Sequence, residues 1–245
     1  MSTAFRFLTR IPLPGNAPVT ESDLGAASAW FPAVGVVLGA LVVAAGWVLR
    51  EWYPAPVTAA LLLAGLVAAT GGLHLDGLMD TADGLMGSHL RERSLEIMKD
   101  SRVGAMGVTA GAGAMVLKFA LLAAALQMQD WWRWLWLFPV LGRWALVYGL
   151  SSFPYARAEG GLGRPFALGS SRRQLWVASG VAVLAAWALG SVRGMAAALA
   201  VWLFTALLAR QVTRRLGGLT GDVYGALNEV AEITALLVLV GRFGW

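Results

Sequence analysis

The chain has no cysteine and only two histidines in 245 residues. Without cysteine there can be no disulfides, zinc–thiolate sites or iron–sulfur clusters, and two histidines leave little for any other imidazole-rich metal centre. Any protein-bound metal must therefore take oxygen ligands, which favours magnesium, manganese or calcium. Charge is scarce as well. Charged residues make up 13% of the chain against 58% hydrophobic ones, too little polar surface to cover a soluble globule. Such a composition belongs to an integral membrane protein. The N-terminus lacks the apolar core of about 7–15 residues that a cleavable signal requires, and Pro12 and Pro14 interrupt it. It reads as an interfacial segment with Phe5, Phe7, Leu8 and Ile11 against lipid.

Long apolar runs, by contrast, are plentiful. Segments of the length needed for roughly 30 Å of hydrocarbon lie near 28–49, 55–73, 104–126, 134–152, 174–190, 194–210 and 223–241. We therefore expect an all-α, polytopic membrane bundle of about seven transmembrane helices, forming one domain over 1–245 whose residues 1–23 are the interfacial segment. No fixed-period repeat or Ser/Pro linker divides it. With a cytoplasmic N-terminus, 13 of the 19 Lys and Arg residues fall on cytoplasmic segments, as the positive-inside rule asks. Gly104, Gly107, Gly111 and Gly113, and Gly35 with Gly39, read as sites of close helix approach. Trp131, Trp132, Trp134 and Trp136 read as an aromatic belt.

Residues 71–84 run Gly-Gly-Leu-His-Leu-Asp-Gly-Leu-Met-Asp-Thr-Ala-Asp-Gly. On a helix, Asp76, Asp80 and Asp83 share an arc of about 60°, with neighbours roughly 5–6 Å apart. Such crowding is relieved by protonation, by basic side chains or by a bound metal. A solvated helical face is the plainer explanation, yet Gly77 and Gly84 gain nothing there, whereas glycine beside a ligand lets a phosphate or ion approach the backbone. His74 points about 160° away from Asp76 and about 120° away from Asp80 and reads as structural. A second acidic set lies at 217–232, where Asp222 and Glu229 differ by about 20° around a helix and Glu232 stands about 80° away. Carboxylates entering an apolar helix cost about 2.5–3.5 kcal/mol each at its centre and are functional candidates by default. The alternative has Asp222 capping the helix and Glu229 and Glu232 paired with Arg214 or Arg215.

Basic residues stand beside these acids. Lys99 and Arg102 lie at the entrance of the third span, and Arg157, Glu159 and Arg164 lie among glycines. Beside carboxylates they suit a metal-bound polyphosphate; holding lipid headgroups is the other explanation, and the favoured one for Arg172, Arg173, Arg214 and Arg215.

Four stretches carry a resemblance: His-Leu-Asp-Gly-Leu-Met-Asp-Thr-Ala-Asp-Gly at 74–84, Met-Lys-Asp-Ser-Arg-Val-Gly at 98–104, Phe-Leu-Thr-Arg-Ile-Pro-Leu-Pro at 7–14 and Gly-Leu-Thr-Gly-Asp-Val-Tyr-Gly-Ala at 218–226. Together they resemble the bacterial cobalamin synthase family, the adenosylcobinamide-GDP ribazoletransferases. Met79 departs from that pattern where a small residue is expected, and an extra glycine stands in 159–163. The resemblance implies a magnesium-dependent transfer at the cell inner membrane, with the site facing the cytoplasm. α-Ribazole or its 5′-phosphate attacks the cobinamide-side phosphorus of adenosylcobinamide-GDP, and GMP departs. It further implies that Asp76, Asp80 and Asp83 hold Mg2+, that Asp222 or Glu229 completes the site, and that Asp83, with Asp80 beside it, acts as base. Lys99, Arg102, Arg157 and Arg164 are then the phosphate-binding residues. Besides these substrates and the lipid bilayer, no nucleic-acid partner is expected, and a homo-oligomer stays open. Their chemistry is similar to that of the CDP-alcohol phosphotransferases, whose longer aspartate signature is absent. The rival reading is a cation-coupled transporter using the carboxylates as an ion site; a transporter places them near the midplane, whereas these gather beside one leaflet with arginines.

Overall fold

The computed structural model describes residues 1–12, 20–157, 160–161 and 163–241. Helix α1 (Ser2–Leu8) precedes α2 (Glu21–Ala27), a 3-10 turn (Ser28–Trp30) and α3 (Phe31–Arg50). A capping box starts α2, with Thr20 and Asp23 each accepting the other's backbone N–H. Helices α4 (Ala55–Thr70) and α5 (Leu73–Gly87) are bent by 86° at Gly71 and Gly72. Both glycines have left-handed φ, +63° and +69°, which an L side chain resists. The Arg10 side chain fills the space a Gly71 side chain would need, and the Arg10 N–H donates to the Ala69 carbonyl at 2.7 Å. The N-terminal segment thus braces this corner.

The remaining helices are α6 (Arg91–Ile97), α7 (Ala105–Ala125), α8 (Trp131–Ser152), α9 (Arg164–Gly169), α10 (Arg172–Leu216) and α11 (Gly221–Val240). Helix α8 runs through the middle, buried over most of its length against α3, α10 and α11. Gly35 and Gly39 of α3 back directly onto Pro139, Val140 and Trp136 of α8, with no room for a Cβ. Close approach of this kind is what small residues provide between membrane helices.

Helix α10 is interrupted at Ser191, where φ is 47° and ψ is −128°. A Cβ on Gly194 would strike the Ala186 carbonyl, although an unbroken helix would hold these residues about 12 Å apart. The chain therefore reverses. Its arms, 172–190 and 192–216, bury small residues such as Ala178, Ala182, Ala186, Gly194 and Ala197. Both outer ends return to one side of the bundle: Arg173 lies beside Trp30, and Leu216 meets Arg91.

Among the described residues, four helices are long and apolar enough to cross a membrane, or five if the bent α4–α5 pair is one span. The protein is a multi-pass helical membrane protein, but the expected count of seven is not confirmed. The expected spans 174–190 and 194–210 are the two arms of α10, which count once when joined. Helix α8, expected as 134–152, carries Arg133, Arg143 and several tryptophans, and so is buried without being strongly apolar. Two of the residues expected against lipid lie elsewhere. Phe5 and Leu8 are buried in the bundle, and Phe7 packs on Phe31 and Phe166 at 6.1 and 4.2 Å between ring centres. The reason is that α1 fills the space above α3 and α9, where burial against protein replaces burial against lipid.

Candidate active site

Two glycines bring the acidic helices together. A Cβ on Gly77 of α5 would meet the Asp222 carbonyl at 2.6 Å, and one on Gly225 of α11 would meet the His74 carbonyl at 3.0 Å. Gly84 sits likewise against Met98 and Ser94. Gly77 serves helix contact and also lines a cavity with Asp76 and Asp222, whereas Gly84 serves helix contact alone, so the expectation that it admits a ligand to the backbone is corrected.

The start of α11 is fixed by a small backbone lattice. Leu219 N–H donates to the Pro154 carbonyl and Ala156 N–H to the Leu219 carbonyl, both at 2.8 Å. Arg91 clamps the same region, donating to the carbonyls of Leu216 at 2.8 Å and Ala156 at 2.9 Å. Sequence reading missed this role, since nothing near Arg91 marks its partners 65 and 125 residues away. Thr220 caps α11 through the Val223 N–H. Arg157 is thereby held beside Asp222, to which it donates at 2.7 Å.

A cavity of about 350 Å³ lies at this junction. Asp76, Lys99, Arg157 and Asp222 form its polar side; Phe7, Phe31, Phe166, Leu146, Leu150 and Tyr224 form its apolar side. Asp80, one turn beyond Asp76, is half-buried within electrostatic reach of Asp76 and Asp222, with Arg157 the opposing charge. Three carboxylates against the Arg157 guanidinium and the Lys99 ammonium leave a small excess of negative charge in a partly desolvated place. All the donors are oxygens, a set that fits a hard divalent cation. Among the described residues no three His, Asp or Glu side chains enclose an ion by themselves, so such a cation would draw further ligands from phosphate oxygens or water.

Two expected ligands are placed otherwise. Asp83 is buried and accepts the N–H groups of Gly104 and Gly107, each at 2.7 Å. It anchors the start of α7, where backbone donors and the helix dipole favour a carboxylate, and its expected role as metal ligand and base is corrected. Gly104 and Gly107 are glycines because a Cβ on either would collide with that carboxylate. Glu229 lies deeper. It pairs with Lys118 at 3.0 Å, while Glu232 pairs with Lys118 at 2.5 Å and with Arg143 and accepts from Asn228 at 3.2 Å. This buried group carries two charges of each sign, so Glu229 is withdrawn from the metal set. The paired alternative was sound in kind, but the partners are Lys118 and Arg143 rather than Arg214 or Arg215.

The basic residues also divide. Lys99 and Arg157 line the cavity. Arg102 does not: its side chain is 87% exposed and pairs with Asp100 at 2.6 Å, and this guanidinium holds the Asp100 carboxyl down at about 2. Arg164 heads α9, near Tyr155 but outside the cavity lining. Glu159 and the end of the 7–14 motif, Leu13 and Pro14, lie outside the described residues.

The family model described as cobalamin-5-phosphate synthase matches residues 1–240. The chain belongs to the cobalamin-5-phosphate synthase family. Curated relatives agree along its length. It is 47% identical to an adenosylcobinamide-GDP ribazoletransferase of Roseiflexus sp. (strain RS-1), over 96% of this chain and 87% of that one. The protein of the same name from Desulfitobacterium hafniense (strain Y51) is 45% identical over 98% and 94%, and that from Geotalea daltonii 41% over 98% and 97%. No solved structure matches. In this synthase-family chain the departure at Met79 is accommodated locally, its side chain lying where Gly111 leaves room.

Proposed function

We propose that this chain transfers the cobinamide phosphate group of adenosylcobinamide-GDP to α-ribazole or α-ribazole 5′-phosphate, releasing GMP. Membership of the synthase family and the names of its relatives support the reading. The observation that carries it is the meeting of Asp76, Asp222, Lys99 and Arg157 around one cavity at the ends of α5 and α11. The reaction displaces one phosphoryl substituent by another. A ribose hydroxyl of the ribazole forms the new P–O bond, the bond to the GMP oxygen breaks, and the hydroxyl proton goes to a carboxylate.

In this reading Lys99 and Arg157 bind the diphosphate, Arg157 being oriented for it by Asp222. Asp80 takes the proton of the attacking hydroxyl at a carboxylate oxygen, because Asp83 has both oxygens engaged by backbone N–H groups. Asp76 and Asp222, with phosphate oxygens or water as further ligands, would hold Mg2+, which when bound neutralises phosphate charge and lowers the cost of the transfer. The aromatic wall behind them excludes water from the reacting phosphorus. We place the site at the cytoplasmic face of the inner membrane, supported by the basic residues Arg91, Arg93, Lys99, Arg157, Arg164 and Arg214 on segments near it. A transporter reading has less support, since the deep carboxylates Glu229 and Glu232 are already neutralised by Lys118 and Arg143.

The test is GMP release from adenosylcobinamide-GDP plus α-ribazole by the protein in detergent, with and without magnesium. We expect release that requires both ribazole and magnesium and stops on chelation with EDTA. Folded protein that releases no GMP under any of these conditions would remove the proposal.

A further inference from the structure

The apolar side of the cavity is a built compartment rather than a gap. Phe7, Phe31 and Phe166 come from α1, α3 and α9, and their ring centres lie 4.2 to 6.1 Å apart. Phe31 and Phe166 are buried. Tyr224 of α11 stands in the same wall, its ring held between Gly149 and Gly163, where a Cβ would approach the ring at 3.1 and 3.3 Å. The Tyr224 hydroxyl is buried with no hydrogen-bond partner, and so is His74 Nε2, which also lines the cavity. Buried polar atoms left unpaired are costly and uncommon. His74 also borders the buried group of Lys118, Arg143, Glu229 and Glu232, so it is the Tyr224 hydroxyl, in the aromatic wall, that marks a place where a ligand completes the bonding.

We propose that this compartment seats the planar base of the ribazole substrate, packed against the wall that Phe7, Phe31 and Phe166 form and hydrogen-bonded by Tyr224. The proposal rests on the transfer reading above and adds which substrate the apolar half recognises. A benzimidazole-type riboside has one free ring nitrogen and an otherwise hydrocarbon perimeter, which matches an apolar slot with one or two polar contacts. Guanine fits badly. Its carbonyl, amino and ring N–H groups would be buried beyond the number of partners available. A corrin macrocycle exceeds a cavity of about 350 Å³ and remains outside it. With the base inside, the ribose faces Asp76, Arg157 and Asp222, where the diphosphate is to be attacked.

The test measures the KM of each substrate separately for Phe166→Ala, Phe166→Leu and Tyr224→Phe in detergent. Stacking on an aromatic side chain is lost on alanine substitution, so Phe166→Ala should raise the KM for α-ribazole about tenfold to a hundredfold. The KM for adenosylcobinamide-GDP should stay within about twofold, and Phe166→Leu should recover part of the loss. Tyr224→Phe should raise only the ribazole KM, by about threefold to tenfold. A rise confined to adenosylcobinamide-GDP, an equal rise for both substrates, or no change in either would overturn the proposal. Direct binding separates it from the transfer reading. If wild-type protein binds α-ribazole by calorimetry and Phe166→Ala does not, the subsite stands even where GMP release fails.

Discussion

At the residue scale, two aspartates three positions apart on α5 have opposite fates. Asp83 receives two backbone N–H groups from the start of α7, whereas Asp80 faces other carboxylates across from Arg157. Asp80→Asn keeps shape and removes charge, so GMP release should fall by about 10²–10⁴-fold, the range for loss of a general base. Thermal unfolding in detergent should change little. Turnover within tenfold of wild type would show that Asp80 is a solvated bystander. The buried ion group gives a contrasting prediction. Lys118→Met leaves Glu229 without its partner and should cost about 3–5 kcal/mol, the range for breaking one side of a buried pair. Adding Glu229→Gln should restore part of that stability, and a double-mutant cycle on the unfolding transition reads the coupling.

At the element scale, the site depends on how closely α5 and α11 approach. Gly77 faces the backbone of Asp222 and Gly225, so even one methyl group must push the helices apart. Gly77→Ala should cost about 1–3 kcal/mol through overpacking. It should reduce GMP release by more than that stability loss implies, since Asp76 and Asp222 would separate. Activity near that of wild type in Gly77→Ala would mean that the two helices need not be in register. The spacing of Asp76 and Asp80 was legible in the sequence because helical periodicity is local. The corner at Gly71–Gly72 and the reversal at Ser191 were not, because a positive φ leaves no mark in a hydropathy pattern.

At the scale of the whole molecule, a single reversal in α10 and the central path of α8 bring the ends of α5, α8 and α11 to one side of the bundle. The absence of cysteine makes that arrangement easy to test. Cysteine introduced at Glu96, on the site side, should react with a membrane-impermeant maleimide only in inverted vesicles. Cysteine at Gln129, before the opposite end of α8, should react only in right-side-out spheroplasts. Labelling of the Glu96 position in right-side-out spheroplasts would overturn the cytoplasmic placement of the cavity.

Composition and residue spacing established that this is a membrane protein, that any protein-bound metal would take oxygen ligands, and that Asp76, Asp80, Asp83, Asp222 and Glu229 are the candidate acids. Each follows from counts or from helical spacing. Which carboxylates remain free was decided only by tertiary structure. Asp83 finds its donors 21 and 24 residues away and Glu229 its lysine 111 residues away. The aromatic wall likewise gathers Phe7, Phe31 and Phe166 from three separated helices. A carboxylate's chemistry depends on what packs against it, and such contacts are set by helices crossing in space, which no local pattern of residues records.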